Sequence, residues 1–463
     1  MRKVRMIGYV LLALLLTGSL LLAQDKSAGE VNMNQLQEIK KQANINKDTE
    51  AAINAVTNNS IRDLALNRSN VGTVDHLFDY KIETPSITDQ KSSGRCWLFT
   101  ALNVIRPKIV DQYNLEDFEF SESFLFFWDQ FEKANLFLEN VIQTKDLSTD
   151  HRRVQYLFQR PIGDGGAWQM MPPIAEKYGV VPKHAMEETK NSENTLYMHS
   201  LLKTKLRQQG MNLRTMQNSS EKELRKKKIE MLGDIYRILT ICLGNPPEEF
   251  TWRYMEKDDS TIIEKRFTPQ KFYQDAVEPR LGNYVMLMDV PSKEYYKYYE
   301  IEWNRNQYNS KNWTFVNVPS EELAKYAKKS ILHDEPMYFS CDVGAQLNRD
   351  AGLLDVDNYD YESLFGVSFD MNKKERILSY ESGSTHGMAL IGIDTAATGE
   401  VQKWLLENSW GPEAGHKGFL TMTDEWFDEY SFRLVVKDSF LPEKIIKITR
   451  QKPIVLPPWD RMH

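Results

Sequence analysis

The spacing of hydrophobic residues changes along the chain and predicts helices in the first half and strands in the second. Residues 98–143 have helical spacing, with one apolar helix expected directly after Cys96 and a second over residues 124–140. From about residue 283 the apolar runs are short and are separated by turn residues, which is typical of strands. The expected strands cover residues 284–288, 314–318, 336–341, 388–393, 403–408 and 419–423. Helices followed by strands indicate an α+β fold.

A helical insertion is expected over residues 191–280. Ser220 and Glu223 have the spacing of a capping box, and apolar residues follow them at helical intervals as far as Cys242. Ahead of the helical half, residues 24–72 are polar and are interpreted as an N-terminal extension with a short helix at residues 35–43.

The first 23 residues have the composition of a signal peptide. Arg2, Lys3 and Arg5 precede a mostly apolar stretch over residues 6–22, and Ala23 is the expected last residue before cleavage. This segment predicts a secreted or periplasmic protein without stable membrane association after cleavage. An uncleaved N-terminal membrane anchor is the alternative.

Composition limits the classes of function that fit this chain. It has 463 residues, of which 41% are hydrophobic and 27% charged, as expected for a globular protein with several domains or large insertions. A formal net charge of −7 argues against a nucleic-acid partner. Cys96, Cys242 and Cys341 have neither CxxC nor zinc-site spacing, so no metal or other cofactor is expected. Cys242 and Cys341 fit reduced core residues better than a disulfide.

Cys96 is the candidate nucleophile. It follows a turn that contains Gly94 and precedes an apolar run, so it should lie at a helix N-terminus, where the dipole and unpaired N–H groups stabilise a thiolate. The amide of Gln90 can reach back over the sulfur and, with the backbone N–H of Cys96, would form an oxyanion hole. The alternative is a buried structural cysteine.

His386 and Asn408 are the candidate base and its partner. His386 begins an apolar run and has small neighbours, which lets the imidazole stand in a cleft. Asn408 ends another apolar run, where its side-chain oxygen can accept a hydrogen bond from His386 and hold the ring in one tautomer. Trp410 can then cover that hydrogen bond from water.

These contexts together resemble the signatures of papain-like cysteine peptidases. The resemblance rests on Gln90 before Cys96-Trp97, on Thr-His at residues 385–386, and on Glu-Asn-Ser-Trp-Gly at residues 407–411. It continues at residues 163–168, which are similar to the Gly-Gly segment of that family. The long interval between Cys96 and His386 resembles the bleomycin hydrolase and aminopeptidase C branch. Segments 118–129, 178–183, 338–344 and 453–460 are similar to the same branch.

The resemblance implies a papain-like fold with two lobes, a helical one and a β-rich one. The helical lobe with the nucleophile is assigned to residues 73–190, the β-rich lobe with His386 and Asn408 to residues 281–450, and a C-terminal arm to residues 451–463. It also implies peptide substrates and a homo-oligomer, by analogy a hexamer.

The resemblance further implies an aminopeptidase that works through a Cys-His-Asn acyl-enzyme mechanism. The implied catalytic residues are Cys96, His386, Asn408 and Gln90. The implied substrate-binding residues are Gly165, Gly166, Trp410 and His463.

The C-terminal arm leaves an alternative open. After Asp460 the branch usually continues with Pro-Met-Gly and small residues, whereas this sequence reads Arg461-Met462-His463. A shortened arm would leave more of the cleft open, and the protein would then act as an endopeptidase or a dipeptidyl peptidase. A hydrolase or acyl transferase acting on non-peptide amides is the further alternative.

Overall fold

The computed structural model describes residues 29–216, 218–259, 261–277, 281 and 283–461. The expected signal peptide and His463 lie outside these residues. Chain contacts divide the protein into one unit that ends at Leu66 but also includes Asp360–Phe369, and a second made of Asn67–Tyr359 and Asp370–His463. All the described candidate site residues belong to the second unit.

The first unit consists of short amphipathic helices. Its helices are Met33–Gln42, Lys47–Val56, Ile61–Ala65 and Tyr361–Phe365. Asn32 and Asn46 cap the first two through capping boxes. The backbone N–H of Asp360 donates to the carbonyl of Ala65 at 2.7 Å, which ties the distant segment to this unit.

The helices of the second unit are concentrated before residue 245. They are Cys96–Asn103, Arg106–Gln112, Glu122–Gln143, Arg152–Gln159, Met171–Tyr178, Lys190–Glu193, Leu196–Thr215, Glu221–Leu243, Pro269–Phe272, Ser320–Ile331, Lys373–Ser379, Asp424–Tyr430 and Glu443–Thr449. Short 3-10 turns cover Trp168–Met170, Lys183–Ala185 and Asp438–Phe440, and Tyr273–Val277 is a π-helical turn. Among the described residues, no helix has both the length and the apolar character needed to cross a membrane.

The long helix Glu122–Gln143 is the centre of the helical part. Apolar residues occupy more than one of its faces, so most of the helix is buried. It packs against Leu196–Thr215 and Glu221–Leu243, and it contacts the helix Cys96–Asn103.

The strands, numbered in chain order, form one large sheet and one hairpin. They are β1 Tyr80–Lys81, β2 Phe250–Tyr254, β3 Ile263–Phe267, β4 Tyr284–Met288, β5 Lys297–Ile301, β6 Trp313–Asn317, β7 Met337–Cys341, β8 Leu347–Asn348, β9 Leu353–Leu354, β10 His386–Thr395, β11 Val401–Glu407, β12 Phe419–Thr423, β13 Ser431–Lys437 and β14 Ile454–Leu456. The sheet order is β14-β5-β6-β4-β13-β7-β10-β11-β12-β9-β8, with β1 beside β10.

The helix Cys96–Asn103 packs on strand β10 of this sheet. Gly387, the second residue of β10, permits the close approach, because a Cβ there would lie 3.3 Å from Oγ1 of Thr100 and 3.2 Å from the hydroxyl of Tyr338. The packing therefore brings the start of the helix and the start of the strand to one place.

The helical insertion expected over residues 191–280 is interrupted after Leu243 by the β2–β3 hairpin, and helical structure resumes at Pro269–Phe272. Phe250, Trp252 and Tyr254 alternate with polar residues, the two-residue period of a strand with one buried face. Trp252 packs edge-on against Phe272, with ring centroids 5.1 Å apart. The pattern is too short to separate from a frayed helix end by spacing alone.

Candidate active site

Cys96 is the first residue of the helix Cys96–Asn103. The first N–H groups of a helix have no acceptor within it, so the backbone around Cys96 presents donors to the site. Burial raises the pKa of the Cys96 thiol, and the N–H groups of Gly387 and Trp97, which bond to the sulfur, oppose that rise. The half-buried Cys96 lines a cavity of about 550 Å³ together with Gly165, Gly166 and His386.

His386 and Asn408 are hydrogen-bonded at the two ends of neighbouring strands. His386 begins β10 and Asn408 directly follows β11, and Nε2 of His386 lies 2.8 Å from Oδ1 of Asn408. The backbone N–H of Ser409 donates to the same oxygen at 2.8 Å, which fixes this atom as the acceptor. Nε2 therefore carries the proton in the neutral ring, and Nδ1 is the basic nitrogen.

Trp410 covers the imidazole. Its ring lies 4.8 Å from that of His386 at an interplanar angle of 29°, and the guanidinium of Arg349 lies 4.5 Å from the Trp410 ring on the cleft rim. His386 and Asn408 are 6% and 1% exposed, so their hydrogen bond is largely excluded from water.

The side chain of Gln90 is buried and is held by two hydrogen-bond partners. The hydroxyl of Ser409 donates to Oε1 of Gln90 at 2.7 Å, and Nε2 of Gln90 donates to the carbonyl of Ser93 at 2.7 Å. An amide nitrogen has two hydrogens, so the second one stays available for a substrate oxyanion. This places the expected donor in a fixed orientation.

Burial disfavours both a lone thiolate at Cys96 and a lone imidazolium at His386. It raises the pKa of the Cys96 thiol above its usual value, against the Gly387 and Trp97 donors. It lowers the pKa of His386 to about 4, although the Asn408 bond favours the charged ring. A thiolate and an imidazolium formed together also attract each other, and a site with little water strengthens that attraction.

Gly165 and Gly166 occupy different surroundings in the segment facing Cys96. A Cβ on Gly166 would lie 2.6 Å from Cε2 of Trp97, whereas a Cβ on Gly165 would enter open space. Lys133 donates to the carbonyl of Gly165 at 2.7 Å, and Nε1 of Trp97 donates to the carbonyl of Asp164 at 2.8 Å. These two hydrogen bonds hold the backbone of the segment, and the Cα of Gly165 remains open to the cavity.

Three residues of the site are not predicted by the sequence patterns. Ser409 appears in the sequence only as the residue after Asn408. Asp164, whose carboxylate accepts from the N–H of Gly94 at 2.8 Å, appears only within the Gly-Gly segment. Arg433 lines the cavity, and its signal in the sequence is a charge between the apolar residues Phe432 and Leu434 of β13.

His463, expected to bind substrate, lies outside the described residues. The part of the arm before it is anchored on the β-rich side. Strand β14 pairs in parallel with β5, Asp460 accepts from Lys293 at 2.8 Å, and Arg461 donates to the carbonyl of Leu378.

Comparison with known proteins gives consistent matches over almost the whole chain. The Peptidase C1-like family matches residues 30–463. Bleomycin hydrolase of Rattus norvegicus is 40% identical over 424 residues, covering 89% of this chain and 93% of the relative. Aminopeptidase C of Lactobacillus delbrueckii subsp. lactis is 38% identical over 418 residues, covering 89% and 93%. The crystal structure of PepW from Lactobacillus rhamnosis HN001 matches with a TM-score of 0.89 at 35% identity, covering 94% of this chain and 99% of that chain.

These matches confirm the resemblance and the papain-like α+β fold expected from it. They cover both the part that carries Cys96 and the part that carries His386 and Asn408. The chain belongs to the Peptidase C1-like family and is a cysteine peptidase of the bleomycin hydrolase and aminopeptidase C branch.

Proposed function

We propose that this cysteine peptidase is an aminopeptidase that removes N-terminal residues from peptides. The observation that carries the chemistry is the imidazole of His386, held by Asn408 at 2.8 Å in the cavity that contains Cys96. Similarity to aminopeptidase C supports the choice of N-terminal residues as the site of attack.

Acylation begins with transfer of the Cys96 proton to Nδ1 of His386. The thiolate sulfur then bonds to the substrate carbonyl carbon, and the oxyanion accepts hydrogen bonds from Nε2 of Gln90 and the N–H of Cys96. His386 returns the proton to the amine nitrogen as the C–N bond breaks. Loss of one oxyanion donor costs about 3 kcal/mol of barrier in comparable enzymes.

Deacylation repeats these roles with water. His386 takes a proton from the water molecule, whose oxygen attacks the thioester carbon, and the C–S bond breaks to release the carboxylic acid. Asn408 keeps the ring in the required tautomer throughout, because Nε2–H remains directed at its Oδ1.

The test compares a fluorogenic aminoacyl amide with the same compound acetylated at its N-terminus, using mature protein in reductant and Cys96→Ala as the inactive control. Cleavage confined to the free amine supports the aminopeptidase. Comparable cleavage of the blocked compound identifies an endopeptidase, and N-terminal dipeptide release identifies a dipeptidyl peptidase. Turnover of only non-peptide amides would replace the proposal with the amide hydrolase alternative.

A homohexamer is part of the same proposal. Exposed apolar residues support an association surface on the helices Leu196–Thr215 and Glu221–Leu243, where Tyr197 is 78% and Ile241 71% exposed. Light scattering at micromolar protein tests it, and a monomer would contradict it.

Extracytoplasmic location is proposed from the positively charged and apolar composition of residues 1–23. Fractionation of producing cells, with mass determination of the mature N-terminus, tests it. A protein found in the cytoplasm with an intact N-terminus would contradict both export and cleavage, and an intact protein in the membrane fraction would favour the anchor.

A further inference from the structure

The cavity at Cys96 is positively charged, although the chain as a whole has a net charge of −7. Its lining contains the cationic residues Lys133, Arg160, Lys203, Arg305 and Arg433, and no Asp or Glu occurs among the described lining residues. A concave surface lined by one sign of charge focuses the electrostatic potential and favours ligands of opposite charge.

Three of these cations have structural or peripheral positions. Lys133 pairs with Asp129 at 2.7 Å and holds the carbonyl of Gly165. Arg305 donates to Oδ1 of Asn312 at 2.7 Å, and Arg160 is exposed to solvent.

Arg433 differs from them because it is buried and close enough to Cys96 for their charges to interact. It is 6% exposed, and its guanidinium lies 3.8 Å from the ring centroid of Trp313. Burial lowers its pKa to about 10, so it stays charged at neutral pH. Burial raises the pKa of the Cys96 thiol, and the charge of Arg433 opposes that rise.

The strand register places Arg433 in the same row as the residue after His386. Arg433 on β13 pairs with Ser340 on β7, and Ser340 pairs with Gly387 on β10. Two strand spacings put the Cα atoms of Arg433 and Gly387 about 10 Å apart, and Arg433 and His386 line one cavity.

The shared cavity places Arg433 with the nucleophile and with implied substrate-binding residues. Arg433 lines the same cavity as Cys96, Gly165 and Gly166. Trp410 instead lines a separate depression together with Arg349 and Glu413.

We propose that Arg433 is a specificity-determining residue that binds a substrate carboxylate, so that the enzyme favours Asp or Glu on the acyl side of the scissile bond. This inference rests on the proposed peptidase function. A planar guanidinium binds a carboxylate through two parallel hydrogen bonds, and low exposure to water strengthens them. In an aminopeptidase substrate the acyl side of the scissile bond is the N-terminal residue alone, so the bound side chain belongs to that residue.

The first test compares isosteric substrates that differ only in charge. Free-amine Glu and Gln amides place a carboxylate, or its neutral isostere, on the N-terminal residue. We expect kcat/KM for Glu to exceed that for Gln by about 10-fold to 100-fold, as for a hydrogen bond to a charged group.

Variants then assign this preference to Arg433. Arg433→Gln should bring the Glu/Gln ratio close to one, and Arg433→Lys should give an intermediate ratio. Arg237→Gln makes the same change in net charge at an exposed position outside the cavity and should leave the ratio as in the wild type. Equal losses on Glu and Gln substrates in Arg433→Gln would overturn the proposal, since Arg433 would then act only through the charge of Cys96.

A second test does not require peptide turnover. Iodoacetate and iodoacetamide both alkylate Cys96, with a C–S bond forming as iodide leaves, but only iodoacetate is an anion. The ratio of the iodoacetate rate to the iodoacetamide rate should be about tenfold lower in Arg433→Gln than in wild type. This is the change expected for loss of a nearby positive charge in a poorly hydrated site. An unchanged ratio overturns the anion site. A reduced ratio without any peptide cleavage supports the site and rejects the proposed function.

The wild type alone keeps the proposal falsifiable if Arg433→Gln does not fold. A wild-type Glu/Gln ratio near one contradicts it without any variant. Circular dichroism of each variant, compared with wild type, shows which kinetic results apply to folded protein.

Discussion

The hydroxyl of Ser409 donates to Oε1 of Gln90 at 2.7 Å, and this contact fixes the orientation of the Gln90 amide, the proposed oxyanion donor. An amide flip would place an oxygen, which cannot stabilise an oxyanion, where Nε2 now lies. Ser409 also follows Asn408, so one short segment supports both the oxyanion donor and the histidine partner.

Ser409→Ala is expected to lower kcat by about fivefold with little change in KM, because one neutral hydrogen bond is worth about 1 kcal/mol. The loss appears in kcat because the oxyanion forms only during reaction. Steady-state kinetics on one fluorogenic amide measures it.

A double-mutant cycle with Gln90→Ala provides the control. If Ser409 acts through Gln90, Ser409→Ala should cost almost nothing further in the Gln90→Ala background. Additive losses would show that Ser409 acts by another route.

Asn408→Ala removes the acceptor that orients His386 and is expected to reduce kcat by about 10-fold to 100-fold. Cys96→Ala removes the nucleophile and should abolish turnover, whereas Asn408→Ala should keep a measurable residual activity. Asn408→Asp restores an acceptor and should recover part of the activity in a pH-dependent way. Full activity in Asn408→Ala would contradict the role of the 2.8 Å bond.

The local contexts of Cys96, His386 and Asn408 were readable from the sequence because each lies at an element boundary. The apolar run after Cys96 is the helix Cys96–Asn103, and the runs beside His386 and Asn408 are strands β10 and β11. The expected strands at 388–393 and 403–408 begin and end within two residues of β10 and β11. The roles of these residues remain predictions that the kinetic tests address.

Contacts set by strand register and side-chain direction were not predictable. Arg433 comes near Gly387 only through the pairing of β13, β7 and β10, which no local pattern specifies. The direction of the Ser409 hydroxyl depends on Gln90, which is far away in sequence. For the same reason, nothing in the spacing joined Asp360–Phe369 to the N-terminal helices.

Gly165 and Gly166 offer a matched pair of variants because only one of them is crowded. Gly166→Ala places a methyl group 2.6 Å from Trp97, directly beside Cys96, and should destabilise the protein by about 1–3 kcal/mol and lower kcat. Gly165→Ala places the methyl group in open space, so it should preserve stability and raise KM by narrowing the cleft. Thermal denaturation and kinetics of both variants measure this difference, and equal stabilities would contradict it.

Glu407 is a buried carboxyl group next to Asn408. It is 1% exposed, and Nη1 of Arg106 lies 3.6 Å from its Oε1. Burial raises its pKa to about 7, with Arg106 opposing the shift. In the unfolded chain the pKa is about 4.3, so the unfolded state loses this proton first. The stabilising contribution of the protonated group is therefore complete below the unfolded pKa and is lost as pH rises toward 7.

Glu407→Gln removes this titration and should gain stability relative to wild type as pH increases. The difference should change by on the order of 3 kcal/mol between pH 4 and pH 8 in favour of the variant. Urea midpoints at both pH values measure it, and Glu425→Gln, the same change at an exposed site, should show little pH dependence. A variant that loses stability relative to wild type as pH rises would contradict the prediction. That outcome would mean that the attraction between Arg106 and the charged carboxylate outweighs the cost of burying it.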